Sequence, residues 1–237
     1  LAPKAPPADL HQTRIGLWLE DPNCPLDPEV RAVLEAFAGE LRAAGAEVEL
    51  ISAPVDARIL LSAYQTLLGA VLGEDLPPKL IRRMERVRAI SGLLPGRDDP
   101  SSPVHMAKAY TARHREWLAA DAVRARLRHE IGEAFETHHA ILAPIAPVAA
   151  FPHDRQPFQK RRLTASDGQV FPYNSMLSWI ALATALHLPA TVVPAGLAAS
   201  GLPVGAQIIG PVGGDARTLS IAQAIDENVR GFIAPPI

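Results

Sequence analysis

Apolar and polar positions along this chain switch between two periods, and the switches set the order of its elements. Arg14-Ile-Gly-Leu-Trp-Leu19 is a short apolar run that predicts a buried strand. Asp27-Pro28 then offers a capping side chain followed by a proline suited to a first helical turn. Val30, Val33, Leu34, Phe37 and Leu41 follow at helical spacing until Gly45 stops the helix. Glu47-Val-Glu-Leu-Ile51 predicts the next strand. A strand, a helix and a strand in succession predict a parallel crossover and an α/β class, a mixed sheet flanked by helices.

From about 57 to 137 the pattern is helical, broken at Pro77-Pro78 and in the Gly/Pro/Asp/Ser-rich stretch 95–103. Residues 113–135 read as one long amphipathic helix. His139-Ala-Ile-Leu-Ala-Pro144 predicts a short strand that runs into a proline-rich loop reaching Pro157. Residues 158–172 read as polar and irregular, and 174–186 as a helix with Trp179, Ile180 and Ala183 on one face. Residues 191–196 and 204–210, joined across Ser200-Gly201-Leu-Pro203, predict an antiparallel hairpin. Asp215 is expected to cap a last helix carrying Leu219, Ala222 and Ile225. Without repeats or low-complexity blocks, 1–237 reads as a single domain, with 1–12 a Pro/Ala-rich, linker-like lead-in.

Composition narrows the function classes. At 237 residues, 48% hydrophobic and 20% charged, the chain has material for a real core and is not of disordered type. A net charge of −2 argues against bulk attraction to nucleic acid or anionic lipid. No apolar run approaches the roughly 20 residues that span a bilayer. The start, Leu1-Ala-Pro-Lys4, has neither an initiator Met nor signal-peptide character. It is expected to belong to a cleavage product or to a later part of a longer chain. The single cysteine, Cys24, forms no internal disulfide and suits a reducing, cytoplasmic setting. The 23 prolines, against roughly 12 at average usage, are spread between the predicted elements as punctuation. Charge is uneven: residues 79–128 hold 12 basic and 5 acidic side chains. A solvated or locally paired helical face is the simpler account of that stretch, with RNA contact as its rival.

The search for chemistry is mostly negative. There is no G-x-S-x-G elbow, Walker-type phosphate loop or G-x-G-x-x-G fingerprint. The eight histidines show no metal-ligand spacing: His138 and His139 are adjacent and diverge, and His153 beside Asp154 is expected to stabilise a loop by hydrogen bonding. No metal and no cofactor are expected. Cys24, with no base beside it in sequence, reads as a structural thiol. Tyr173 and Trp179, near predicted loop ends, are candidate pocket-lining residues, and for Trp179 a place in the core fits equally well.

Three segments carry a family resemblance. Leu188-Pro-Ala-Thr-Val-Val-Pro-Ala-Gly196, then Gly201-Leu-Pro-Val-Gly-Ala-Gln-Ile-Ile-Gly-Pro211, then Asp215, resemble the C-terminal region of amidase-signature enzymes. Ala140-Ile-Leu-Ala-Pro-Ile-Ala-Pro147 is similar to the family's strand-and-proline segment, and Arg14-Ile-Gly-Leu17 with Asp27-Pro-Glu-Val30 to the segment after its catalytic core. Their order and spacing agree, so the resemblance covers essentially the whole chain. It implies hydrolysis of amide C–N bonds by a Ser nucleophile, a bridging Ser in a cis peptide and a Lys base. Those residues lie in a Gly/Ser-rich signature that this sequence lacks. Ser101-Ser102 sits between prolines, Lys79 and Lys108 have no matching context, and no catalytic residue is assigned. Thr184 and His187 stand where the family commonly has Asn and Gly, and His139 where it often has Asp. Arg82, or its neighbour Arg83, lies roughly where some members bind a substrate carboxylate.

The resemblance therefore implies the C-terminal half of an amidase, inactive alone, with Tyr173, Trp179 and Arg82 as substrate-binding candidates. Expected partners are the missing N-terminal half, a small-molecule amide substrate and a second copy as a homodimer; no membrane is expected, and nucleic acid is disfavoured. Two rivals stay open. One is a non-catalytic binding or regulatory module with a half-amidase fold; the other is an RNA-contacting part of a tRNA-dependent amidotransferase.

Overall fold

The computed structural model describes residues 9–97 and 99–234, so residues 1–8 of the expected lead-in lie outside the described residues. Its last part is already built in. Asp9 accepts a hydrogen bond from the His11 amide (2.9 Å) and caps a single 3-10 turn, Leu10–Gln12, that buries Leu10. In chain order follow β1 (Arg14–Leu17), α1 (Pro28–Ala43), β2 (Glu47–Leu50), α2 (Ala57–Leu72), α3 (Pro78–Ala89), α4 (Pro103–Tyr110), α5 (His114–Glu130) and α6 (Ala134–Thr137). They continue with β3 (Ala140–Pro144), β4 (Arg162–Thr164), β5 (Val170–Pro172), α7 (Ala181–Leu186), β6 (Ala190–Leu197), β7 (Pro203–Ile209) and α8 (Asp215–Asn228). Where the sequence reads as one domain, the chain divides into two compact units: a sheet unit, up to Pro54 and from Ile131 onward, and a helical unit, Val55–Glu130.

The sheet unit is the expected α/β arrangement. Its strands run in the order β2-β1-β3-β7-β6, with β1 parallel to both β2 and β3, and β7 antiparallel to β3 and β6. The pleat turns Ile15, Leu17, Leu142, Ala206 and Ile208 toward one core. Leu34, Phe37 and Leu41 of α1 and Ile221 and Ile225 of α8 fill the same core, all almost fully buried. Each such side chain contributes about 1.5–3 kcal/mol on leaving water. The ends of α1 are as the sequence predicts: Asp27 accepts from the Glu29 amide, and Gly45 takes φ 99°, open to glycine at little cost. A two-stranded hairpin, β4 with β5, covers a smaller core of Val148, Leu163 and Ala165.

In the helical unit α2 packs on α4 and α5, and α3 on α4. The α2–α4 approach is close at Gly69, where an added Cβ would lie 2.8 Å from the Ala109 Cβ.

Several expected elements differ. Residues 113–135 are not one helix: α5 stops at Glu130, a turn containing Gly132 intervenes, and α6 is a separate single turn. Only Ala120 and Leu127 of α5 are buried, so its face is weakly amphipathic. Residues 158–172 hold the β4–β5 hairpin around Asp167-Gly168, a hairpin-turn dipeptide in strands too short to show a period. Between 174 and 186, a 3-10 turn at Tyr173–Leu177 precedes α7, and Ser178 Oγ donates to the Ser175 carbonyl where a longer helix would run. Gly214 rather than Asp215 is the cap of α8, and Leu219 is 60% exposed while Thr218 and Ile221 turn inward.

Candidate functional site: an apolar cleft beyond β3

Parallel strands leave a crevice beyond their carboxyl ends, and ligands of open α/β sheets sit there. Beyond β3 the chain continues as Ile145-Ala-Pro-Val-Ala-Ala-Phe151 and, with Val30, Met176 and Val204, lines a cleft of about 230 Å³. No ionisable side chain belongs to that lining.

One buried carboxylate fixes the walls. Asp27 donates its amide to the Pro147 carbonyl (2.7 Å), accepts from the Glu29 amide (2.8 Å) and accepts from both the amide (2.8 Å) and the hydroxyl of Ser166. The start of α1, the loop after β3 and the β4–β5 turn are thereby tied to one side chain. Gln207 works from the sheet: its buried amide donates to the carbonyls of Pro144 (2.7 Å) and Trp179 (2.9 Å).

Tyr173 stands at the rim of this arrangement, half-buried, in the middle of an aromatic group. Phe151 meets it edge-on at 6.0 Å and Phe158 at 5.3 Å, and the Arg161 guanidinium lies over its ring at 5.5 Å. Phe151 also lines the cleft, so the aromatic group and the apolar hollow are continuous. Sequence reasoning found Tyr173 and missed Phe151, Phe158 and Arg161; the signal was two aromatics spaced around the prolines of 144–157.

The other sequence candidates fall elsewhere. Trp179 is wholly buried, its ring 4.8 Å from that of Trp18 and its indole N–H donating to the Pro25 carbonyl (2.9 Å). Arg82 is exposed on α3 in the helical unit. Ser102 caps α4 by accepting from the His105 amide (3.0 Å), and Ser101 Oγ donates to Asp99. Asp154 accepts from the Gln156 amide, so of the adjacent pair it is Asp154 rather than His153 whose side chain holds the loop among the described residues. His139 accepts from the Arg14 amide (3.1 Å), while His138 turns away toward Glu49. Burial pushes the Cys24 thiol up to about 12; Asp21 adds to this, and a Ser178 hydrogen bond opposes it, so the thiol is not a thiolate nucleophile near neutral pH. Among the described residues, no group of three or more His, Cys, Asp or Glu lies together in a way that holds a metal, and no helix is long and apolar enough to cross a membrane.

The chain belongs to the amidase family, whose model matches residues 4–219. Its relatives include a glutamyl-tRNA(Gln) amidotransferase subunit of Synechococcus sp. (strain CC9605), 28% identical over 226 residues, or 89% of this chain and 43% of that protein. Among solved structures, a glutamyl-tRNA(Gln) amidotransferase subunit from Thermotoga maritima superposes with a TM-score of 0.62 at 22% identity, covering 95% of this chain and 45% of the other. A bacterial aryl acylamidase of the amidase-signature enzymes superposes with a TM-score of 0.64 at 19% identity, covering 94% and 45%. At those identities the superpositions establish the fold, and the chain spans under half the length of the relatives it matches.

Proposed function

We infer that this chain is the C-terminal half of an amidohydrolase that cleaves amide C–N bonds, with its Ser-Ser-Lys machinery in polypeptide N-terminal to Leu1. The observation that carries the reading is the apolar cleft beyond β3, shaped for an acyl or aryl group and lined by no nucleophile or base of its own. In such a reaction an activated Ser hydroxyl attacks the amide carbonyl, the amine leaves with a proton, and water then hydrolyses the acyl ester. This chain's share is binding. Tyr173 contacts substrate at the cleft mouth, Trp179 holds the Trp18 and Pro25 segments in place, and the exposed Arg82 is a candidate cation for a substrate carboxylate. The free, buried Cys24 fits a cytoplasmic setting.

The remaining half of an amidase is also the partner this unit suits, because both outer strands of the sheet, β2 and β6, lack a second neighbour among the described residues. Leu50 on β2 and Val192 on β6 are more than half exposed there. Without that half, association into homodimers or larger aggregates is the expected behaviour, read by light scattering over a range of concentrations.

The test is hydrolysis of an anilide substrate by this chain alone and by a form extended upstream through a Gly/Ser-rich signature. Activity only in the extended form, reduced by Tyr173→Ala, supports the reading. Activity in the short form overturns it, and an upstream sequence without any such signature favours a non-catalytic binding module. A second reading, RNA contact in a tRNA-dependent amidotransferase, draws on the basic stretch 79–128. It requires salt-dependent RNA binding that weakens when Arg82, Arg83 and Arg86 are replaced.

A further inference from the structure

One bare position on β7 holds the cleft beyond β3 open. Alternation along β7 turns Val204, Ala206 and Ile208 to the main core, so Gly205 and Gln207 face the opposite way. Gly205 has no left-handed backbone conformation, so φ does not explain its missing side chain. A glycine inside a strand weakens the strand, and it often marks the close approach of another group. Here that group is Ile145: a Cβ added at 205 would lie 2.6 Å from the Ile145 Cδ1. Both residues are half-buried and line the cleft.

The backbone at Ile145 is not free to yield. The Pro144 carbonyl just before it accepts from the buried Gln207 amide (2.7 Å), and the Pro147 carbonyl shortly after it accepts from the Asp27 amide (2.7 Å). Val192 Cγ1 already occupies the neighbouring space, 3.4 Å from the same added Cβ. A side chain at 205 would therefore swing the end of Ile145 away from β7 and into the hollow. The size of that hollow limits its occupant. A cavity of roughly 150 Å³ lined by aliphatic side chains holds benzene. At about 230 Å³, this cleft has room for a ring with a short substituent, beside Phe151 and Met176. With no ionisable side chain in the lining, a charge carried in would lose water without gaining an ionic partner.

We propose that Gly205, acting through Ile145, sets the specificity of this cleft, and that the acyl group it takes is uncharged, apolar and the size of a single ring. The proposal rests on the amide-hydrolysing reading above and names the class of amide that such an enzyme selects.

Titration of the chain with para-methylbenzamide and with para-carboxybenzamide, followed by NMR of the protein, tests it without any hydrolysis. The neutral probe should bind saturably and shift the Phe151, Met176 and Val204 resonances. The carboxylate probe, charged at neutral pH, should bind about tenfold more weakly or worse. Gly205→Ala should weaken binding of the neutral probe about fivefold. Adding Ile145→Val removes the Cδ1 that the new Cβ meets, and should restore binding to within about twofold of the parent chain. Thermal midpoints report whether the variants fold; if Gly205→Ala alone does not, the double variant and the contrast between probes decide. Leu93→Ala, which trims an exposed apolar side chain of the helical unit, should leave binding unchanged. Absence of saturable binding overturns the proposal, as does equal binding of the charged probe, full binding by Gly205→Ala, or a double variant no better than Gly205→Ala. Anilide hydrolysis by the extended form without this selectivity sinks the proposal alone, whereas selective binding without that hydrolysis sinks the hydrolytic reading alone.

Discussion

The two units of this protein stand on different physics. In the sheet unit every residue of β3 is buried, and α1 sinks Val30, Leu34, Phe37, Ala38 and Leu41 into one continuous core. In the helical unit only α2 buries a comparable set, among them Leu60, Leu61 and Tyr64; α3 hides only Met84, and α5 only Ala120 and Leu127. Val71, Ile90 and Leu118 are at least half exposed there, and Leu93 is 89% exposed. A central strand covered on both faces, as β3 is between β1 and β7, is apolar on both. A surface helix holds its backbone bonds internally and tolerates a thin apolar stripe, so polar links such as Arg88–Glu116 carry more of the load.

The largest effect should mark that contrast directly. Phe37→Ala should cost about 3–5 kcal/mol by opening a cavity in the sheet core, whereas Leu93→Ala should change stability by less than about 0.5 kcal/mol. Urea unfolding measures both, and similar losses would erase the distinction. Polar clamps come next. Asp27→Ala strips a cap and leaves both Ser166 donors without their acceptor, for about 2–3 kcal/mol. Arg88→Ala should cost about 1–2 kcal/mol, because it leaves the carbonyls of Lys108 and Thr111 and the Glu116 carboxylate to water. Hydrogen exchange should place the first loss at the start of α1 and the second in α3–α5.

A smaller change runs the other way. His187 ends α7 with φ 53°, a left-handed position that favours glycine. His187→Gly should stabilise the sheet unit by about 0.5–1 kcal/mol, seen as a higher thermal midpoint.

Acid titration should separate the units by the smallest margin. Desolvation, helped by Arg14, Arg217 and His138, holds His139 below the ordinary imidazole value of 6.5. Its contribution is present above 6.5 and fades as pH falls from there through the lower folded value. Glu116, held below 4.5 mainly by its hydrogen bond from Arg88, contributes fully above 4.5 and loses that only in more acidic solution. Exchange protection should therefore drop in the sheet unit first, and His139→Gln should remove that early loss.

What the sequence disclosed follows the same division. β1, α1 and the β6–β7 hairpin were legible because long apolar periods met unmistakable punctuation: Asp27-Pro28, Gly45 and Gly201. The β4–β5 hairpin was not, since three-residue strands have no period to read, although Asp167-Gly168 marked its turn. Residues 113–135 misled because a helical pattern of Arg, Ala and Glu persists through Gly132 without an apolar stripe to end. At the cleft, Tyr173 was found from its place near a loop end. Its partners were not, because contacts among Phe151, Phe158 and Arg161 are set by the fold of the loop rather than by spacing. The Asp27–Ser166 link spans 139 positions, beyond any local pattern.

That link also orders events during synthesis. The first turn of α1 leaves the ribosome long before Ser166 exists, so its capping carboxylate must wait, half-satisfied, while the next 139 residues are added. Chains stalled short of 166 should carry a frayed amino end of α1 and an unformed cleft, and the pocket should close in a single late step.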